Sequence, residues 1–432
     1  MEKASDAPKT PEDRPRLESP DKLPQTESDT SRAARRQMLS PQALQLMKLF
    51  EDSEFYLVGG AVRDILLGRT PNDEDFTTKL RAPEIEAKLA DFKTFKEGKQ
   101  FGTIAVLIDG KKLEITSYRR DGKYLDGRHP EQVEFSDSLI EDLSRRDFTI
   151  NAMAMDSSGK IYDYFGGQED LQAGIIRTVG TAEERFSEDY LRILRAFRFR
   201  AKLGFTFTEE IRGAVAKLGF CLEKISLERQ ASELLEIIKY QPELIEELLE
   251  YGLLDFLWPE FQAATDRLAA VGKLPSLYLK ITGLLSQLDE QTAKLYLRRL
   301  FLEKELRQQI ARLLVNINYQ SYSDEELKNA VINSDLAYWE DLFLLAELGL
   351  LGAPDAEKIF AVKQQVQAYL ARAHSLKELA ISGRDLQLMG IESAKIGQIL
   401  TAALVAVMSG NLENERVELL EYIRRDFSQP AT

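Results

Sequence analysis

Cysteine and histidine are almost absent from this sequence: Cys221 is its one thiol, and His129 and His374 are its two imidazoles, in 432 residues. A single thiol excludes an internal disulfide framework and a cysteine-rich metal site, and it suits a reducing cytoplasm. Two histidines far apart in the chain are too few for a histidine–aspartate phosphohydrolase centre or a zinc centre of the usual kind. Long apolar runs are missing as well. The N-terminus mixes Glu2, Lys3, Asp6 and Lys9 with prolines where a secretory leader needs an apolar stretch, so neither a leader nor a membrane partner is expected. Positive charge is in short supply, with a formal net charge of −14. That argues against a protein that coats nucleic acid in general, but it allows a local basic groove. What is plentiful is apolar side chains, 44% of the total, enough for buried cores in roughly two to four domains.

Residues 1–37 carry Pro8, Pro11, Pro15, Pro20 and Pro24 among charges and serines, the composition of a disordered tail. From Leu39 to Phe50 the apolar residues return at helical spacing, and "EFYLVGG" reads as a short buried strand ended by glycines. "AVRDILLG" reads as a helix stopped by Gly68, and "DEDFTT" as a strand. "FGTIAVLID" and "KLEITSYR" alternate on either side of "GK", the pattern of a hairpin. Beyond about Gly180 the strand signals fade into long stretches of three-to-four spacing. The fold class expected is therefore an α+β head followed by an all-α remainder, with no fixed-period repeat. The boundaries read as a tail at 1–37, a head at 38–180, a helical neck at 181–265, a body at 266–345 and a C-terminal tail at 346–432.

The stretch "YLVGGAVRDILLGRTPNDEDFTTKL" holds two features that packing does not require. In a strand, side chains two apart share a face, which sets Asp73 and Asp75 side by side about 7 Å apart along the backbone. Paired carboxylates repel unless a cation lies between them, and hard oxygen ligands of this kind suit Mg²⁺ that also holds phosphates. Gly59 and Gly60 let backbone amides approach a phosphate, and Arg63 adds a forked donor. Glu114 sits on a strongly alternating strand with Leu113 and Ile115 on the opposite face, where it could be the third carboxylate of a two-metal centre. Alone, the double glycine reads as a tight turn, the aspartate pair as a solvated turn and Glu114 as an exposed strand glutamate; together, in strand–helix–strand order, they point to a triphosphate with its metal.

"LVGGAVRDILLGRTPNDEDF", "EDLSRRDFTINAMAMD" and "EDYLRILRAFRFRAKLGF" resemble, in order and spacing, the motifs of the class II tRNA nucleotidyltransferases, which include the CCA-adding enzymes and bacterial poly(A) polymerases within the DNA polymerase beta-type superfamily. The resemblance is dense from about Phe55 to Arg229 and resumes in "LAISGRDLQLMGI". One departure is Glu74, where the family places an apolar residue between the aspartates. The resemblance implies a mixed-sheet nucleotidyltransferase head. In it, Asp73, Asp75 and Glu114 would be catalytic, Arg146 would contact the triphosphate, and Asp147 with Asn151 would address the ribose hydroxyls. It implies a tRNA 3′ end as partner, with CTP and ATP as substrates.

The row Glu188, Asp189, Arg192 and Arg195 falls on one side of a helix, with Asp189 and Arg192 three apart. Such a row is ordinarily a solvated salt-bridge face. Base chemistry offers more: cytosine and adenine both present a ring-nitrogen acceptor beside an amino donor, whereas uracil and guanine present a ring N–H beside a carbonyl. A fixed arginine donor next to a fixed aspartate acceptor takes C and A and rejects U and G, at about 1–3 kcal/mol per unpaired group. The resemblance assigns this reading to Asp189 and Arg192, with Glu188 in support and Arg195 and Arg198 near the nucleotide; Glu228 and Arg229 would brace the helix. The mobile-looking stretch "YRRDGKYLDGRHPEQVE", including His129, corresponds to a loop that in the family helps switch the site from C to A. Lys294, Arg298, Arg299, Arg307 and Arg312 form either a phosphate-contacting stretch or a solvated face, and Gly383, Gly390 and Gly397 are expected at helix ends. The alternatives are an A-only nucleotidyltransferase, a poly(A) polymerase, a transferase acting on a small molecule, and, outside enzymes, an RNA-binding scaffold.

Overall fold

The computed structural model describes residues 28–95, 102–121 and 133–427. Two helices lead in, α1 (Asp29–Gln37) and α2 (Pro41–Leu49). Each begins at a serine whose hydroxyl accepts an amide proton from the first turn, Ser28 from Ser31 and Ser40 from Ala43. Helix α1 corrects the expected extent of the disordered tail, which was to run to residue 37. It buries no side chain, but its cap satisfies its first turn, and Arg35 Nε donates to the Gly159 carbonyl at 2.9 Å. The remainder of that tail lies outside the described residues.

The head continues through β1 (Phe55–Val58), α3 (Gly60–Leu66), β2 (Asp75–Thr78), α4 (Ala82–Lys88), β3 (Lys93–Phe95), β4 (Thr103–Ile108) and β5 (Lys111–Ser117). Strands β4 and β5 form the expected hairpin. Its two-residue turn, Asp109 at φ 45° and Gly110 at φ 82°, has the positive dihedrals that a right-twisted hairpin demands. Next come β6 (Arg119–Asp121), β7 (Val133–Phe135), α5 (Leu139–Ser144), β8 (Met153–Met155), β9 (Ile161–Asp163), α6 (Gly167–Ala173) and β10 (Ile175–Ile176). The expected C-to-A loop between β6 and β7, with His129, falls outside the described residues; the two strands that flank it pair antiparallel.

Seven strands make one mixed sheet in the order β3-β4-β5-β2-β1-β8-β9, in which β2 and β5 run parallel and the other pairs are antiparallel. Alternation gives the sheet two unlike faces. Leu57, Phe76, Ile104, Val106, Leu113 and Ile115 point to one side and pack under Leu46 and Met47 of α2, Val62 and Ile65 of α3 and Ile85 of α4. Val58 and Ala154 point to the other side, toward Leu139 and Leu143 of α5.

Helices α7 (Ala182–Glu188) and α8 (Leu191–Leu203), strand β11 (Thr206–Phe207) and helix α9 (Glu209–Leu218) follow. The chain forms two compact units, and the border does not run at residue 180. The first unit ends at Arg192 and regains Gly204–Leu218; the second takes Ile193–Leu203 and everything from Gly219. Pairing explains the return: β11 lies parallel to β10, with Ile175 opposite Thr206, and Lys217 of α9 pairs with Glu183 of α7.

Among the described residues the second unit is helical: α10 (Leu227–Tyr240), α11 (Ile245–Glu250), α12 (Thr265–Gly272), α13 (Leu277–Leu285), α14 (Glu290–Arg299), α15 (Lys304–Val315), α16 (Asp324–Val331), α17 (Leu336–Glu347), α18 (Ala356–Leu370), α19 (Gly383–Leu388), α20 (Ser393–Met408) and α21 (Arg416–Phe427). Two tryptophans anchor it: Trp258 stacks on Tyr296, and Trp339 packs on Tyr319 and Phe343. Gly383 opens α19, and Gly390 follows that helix at φ 82°, but Gly397 lies inside α20 and ends nothing. The expected basic row is divided between α14 and α15. Arg299 donates to the Phe256 and Leu257 carbonyls, Arg312 donates to the Asn333 carbonyl, and Lys294 pairs with Glu290, while Arg298 and Arg307 are exposed. No helix among the described residues is long and apolar enough to cross a membrane.

Candidate active site

The polar face of the sheet brings two of the three acids together, with the third close by. Asp75 opens β2 opposite Val58 of β1 and is in register with Glu114 of the parallel β5, so the two carboxylates stand next to each other on one face. Glu114 is half exposed and paired with Lys112 at 3.0 Å, while Leu113 and Ile115 are buried on the other face, as the alternation predicts. Asp73 is exposed and precedes the ladder, outside the strand that was expected to contain it. It is nonetheless near enough to act on Asp75. Asp75 is exposed too, yet the protein packed around its carboxylate withholds enough solvent to raise its pKa above the ordinary value, and the charges of Glu114 and Asp73 add to the rise while Arg146 opposes it. Among the described residues no three acid, histidine or cysteine side chains are gathered tightly enough to form a ready-made metal cage. Two aspartates with a glutamate alongside, all hard oxygen donors that disfavour one another's charge, do fit a divalent cation.

Arg146 faces these acids from the end of α5. Asp142 of that helix is fully buried and holds both Arg145, at 2.9 Å, and Arg146, at 3.5 Å. Burial pulls the Asp142 pKa upward, but the two guanidiniums outweigh it and the net shift is downward. Burial also depresses the pKa of Arg146. The buried Arg146 Nε has no hydrogen-bond partner among the described residues. Gly59 is buried at φ 72°, and a Cβ built there would stand 2.9 Å from Arg146 Nη1. The glycine is thus required twice, by its positive-φ backbone and by the guanidinium lying against it.

Arg63 departs from expectation. Its guanidinium is 3% exposed and faces protein acceptors, donating to Asp64 Oδ1 at 2.7 Å and to Asn151 Oδ1 at 2.7 Å. Asn151 in turn donates to Asp147 Oδ1 at 3.1 Å, which also accepts the Phe148 amide. Arg63 therefore orients the Asp147–Asn151 pair from behind instead of standing open as a phosphate fork. Helix α3 is only seven residues long and packed on most sides, so an arginine in it is carried inward.

The expected single helical row is also broken. Asp189 adopts extended dihedrals between α7 and α8, so Glu188 and Asp189 do not share a helix with Arg192 and Arg195. Asp189 Oδ1 accepts the Leu191 amide at 3.0 Å, a short side chain turning back to start α8. The carboxylate that Arg192 meets is that of Glu188, at 2.5 Å; Arg192 also donates to the Arg185 and Arg145 carbonyls. Three of its five N–H groups are thereby engaged, in a side chain that is 8% exposed.

Arg195 and Arg198 belong to the second unit, where both turn to Glu233 of α10, at 3.9 and 2.9 Å, and lie against the Phe199 ring. The expected brace was Glu228, which is exposed; the acid that does the bracing is Glu233, 6% exposed. A signal for it existed, because Glu233 falls on the face of α10 occupied by Gln230, Leu234 and Ile237. A glutamate on an apolar stripe asks for a buried cation.

Residues 55–177 match the Poly A polymerase head domain, residues 204–265 the probable RNA- and SrmB-binding site of polymerase A, and residues 275–423 the putative tRNA nucleotidyltransferase domain 2. A CCA-adding enzyme of Lactobacillus delbrueckii subsp. bulgaricus is 33% identical over 398 residues, covering 88% of this chain and 97% of its own. The chain belongs to the CCA-adding enzyme family. A CCA-adding enzyme of Streptococcus sanguinis is 36% identical over 380 residues, 86% of this chain and 93% of its own. The solved structure of the Bacillus stearothermophilus CCA-adding enzyme in complex with CTP superposes with a TM-score of 0.71 at 28% identity, covering 90% of this chain and 99% of that one.

Proposed function

We propose that this protein adds C, C and A to tRNA 3′ ends from CTP and ATP, releasing pyrophosphate at each addition and using no nucleic-acid template. The observation that carries the reading is the polar sheet face, on which Asp75 and Glu114 adjoin in register, Asp73 lies within charge range, and Arg146 lies against Gly59, held at φ 72°. A relative that binds CTP on the same fold supports the choice of substrate. In each addition the tRNA 3′ hydroxyl attacks the nucleotide's α-phosphorus and the bond to pyrophosphate breaks. Asp73 and Asp75 would hold Mg²⁺, with Glu114 beside them; when bound, the ion would neutralise triphosphate charge and favour the deprotonated hydroxyl. Arg146, with an unpartnered Nε, would take a phosphate oxygen. Asn151 and Asp147, held in place by Arg63, would address the ribose. Arg192 and Asp189 would read the base edge, the former using the N–H groups not spent on Glu188, Arg185 and Arg145. A tRNA-processing role of this kind belongs in the cytoplasm.

The test supplies tRNA transcripts ending before CCA, after C and after CC, each with one nucleoside triphosphate and Mg²⁺, followed by sequencing of the products. Addition of C to the first two and of A to the third is expected. If CTP is never incorporated, the A-only alternative replaces this reading; long adenylate tracts would instead make the protein a poly(A) polymerase.

A further inference from the structure

Between the two aspartates stands a residue that the chemistry of the site does not use. Glu74 precedes β2 and points to the apolar face of the sheet, opposite to Asp75 and on the same side as Phe76. Its side chain is only 1% exposed. A carboxylate there is costly unless donors surround it, and three do. The Ser40 amide donates to Oε1 at 2.8 Å, the Ser40 hydroxyl donates to Oε2 at 2.5 Å, and Lys111 Nζ pairs with Oε2 at 2.5 Å.

The donors show what the arrangement accomplishes. Ser40 is the N-cap of α2. In a capping box, a glutamate or glutamine three residues on would accept the cap residue's own amide. Here that third position is Ala43, which has no acceptor to offer. Glu74 supplies it from another element, and its negative charge sits at the positive end of the α2 dipole. Lys111, the other donor, opens β5 three residues before Glu114. One buried carboxylate thus ties the start of α2 and the start of β5 to the short segment that carries both aspartates. Asp75 is held by ladder pairing on both sides, but that pairing stops at Asp75 and does not reach Asp73.

We propose that Glu74 is a positioning residue for the metal site: clamped by Ser40 and Lys111, it fixes the backbone between Asp73 and Asp75 and so sets where Asp73 stands. The proposal rests on the reading of Asp73 and Asp75 as cation ligands given above. It predicts that metal affinity falls in variants that are still fully folded at the assay temperature: losing Glu74 alone strands the Ser40 amide and frees Lys111, so some stability is lost, but the weakening of metal binding must exceed what partial unfolding explains.

The experiment measures Mn²⁺ binding to the full-length protein by the electron paramagnetic resonance of the free ion, alongside thermal unfolding and steady-state CTP incorporation. Glu74→Leu is expected to weaken Mn²⁺ binding by about 10-fold or more, the usual consequence of losing a residue that orients a ligand. It should also lower kcat with little change in KM for CTP and raise the Mg²⁺ concentration needed for half-maximal rate, all measured well below the variant's own melting temperature. Glu74→Gln keeps an acceptor for the Ser40 amide but loses the ion pair, and it should recover part of the affinity. Wild-type Mn²⁺ affinity in Glu74→Leu, or a loss of activity that only follows a loss of thermal stability, overturns the proposal. If that variant does not fold, wild-type affinity in both Glu74→Gln and Lys111→Met overturns it equally. Asp73→Ala separates the two failures. If it leaves Mn²⁺ binding intact, the cation-site reading falls and the clamp falls with it; if it abolishes binding while the Glu74 variants do not, the clamp alone is wrong.

Discussion

Asp75 and Gly59 make opposite demands on a substituting side chain. At Asp75 the charge is the requirement: Glu114 and Asp73 oppose it, Arg146 offsets part of that opposition, and in the proposed reaction a divalent cation would offset the rest. Asp73→Ala and Asp75→Ala should each lower CTP incorporation by at least about 100-fold while leaving the circular dichroism spectrum unchanged. At Gly59 the requirement is the absence of a side chain. Alanine at φ 72° and ψ −133°, a conformation outside the left-handed helical well, costs about 1–3 kcal/mol of backbone strain, and its Cβ would press on Arg146 Nη1. Gly59→Ala should therefore raise KM for CTP, by about tenfold if strain of that size falls on nucleotide binding, as steady-state kinetics would show. Both residues were legible in the sequence, since an acid at alternate positions of a strand and a glycine pair before a helix are local patterns. Arg63 was not: whether an arginine reaches out or is drawn inward depends on how tightly its short helix is surrounded, and that is decided by distant residues such as Asn151.

On the scale of elements, helix α5 is fastened to the sheet by a carboxylate. Asp142 accepts from Arg145 and Arg146 and also receives the Arg119 amide and the Thr77 hydroxyl. Removing one member of a buried ion pair costs about 3–5 kcal/mol, so Asp142→Asn should show a clearly lower urea midpoint. The pH dependence has a definite sign. The folded-state pKa of Asp142 lies below the ordinary carboxylate value, so its stabilisation is complete above about pH 4 and is lost as pH falls through the folded value. In an acid titration of stability the variant should have the flatter limb. In the second unit, Glu233 faces Arg195 and Arg198 from α10, and Glu233→Gln should cost about 1.5–3 kcal/mol in the same assay, the worth of hydrogen bonds to a charged group. The hairpin of β4 and β5 and the capped helices could be seen in advance because alternation and cap residues act within a few positions. The break at Asp189 could not. Residues on both sides of it repeat at helical spacing, and the interruption comes from one aspartate binding an amide two residues ahead.

For the whole molecule the governing quantity is charge. Under the proposed function a protein of net charge −14 holds tRNA by local phosphate contacts, so its affinity should fall with salt by about one unit of slope per contact in filter-binding measurements, whatever the sign of the net charge. If Arg298 and Arg307 are among those contacts, replacing each with Gln lowers the salt slope by about 1; an unchanged slope makes them solvated surface. The change from a mixed head to a helical remainder was visible in the sequence because the strand signals stop near Gly180, yet the border between the units was not. It follows the pairing of β10 with β11 and the ion pair from α7 to α9, contacts that join residues about thirty positions apart. The chain leaves the first unit after Arg192 and rejoins it at Gly204, so the polypeptide passes the border more than once. No single peptide-bond cut divides this protein cleanly into its two units, because every cut leaves a piece of one on the fragment that carries the other, and a gene fragment ending at Arg192 would encode a head without its own closing strand and helix.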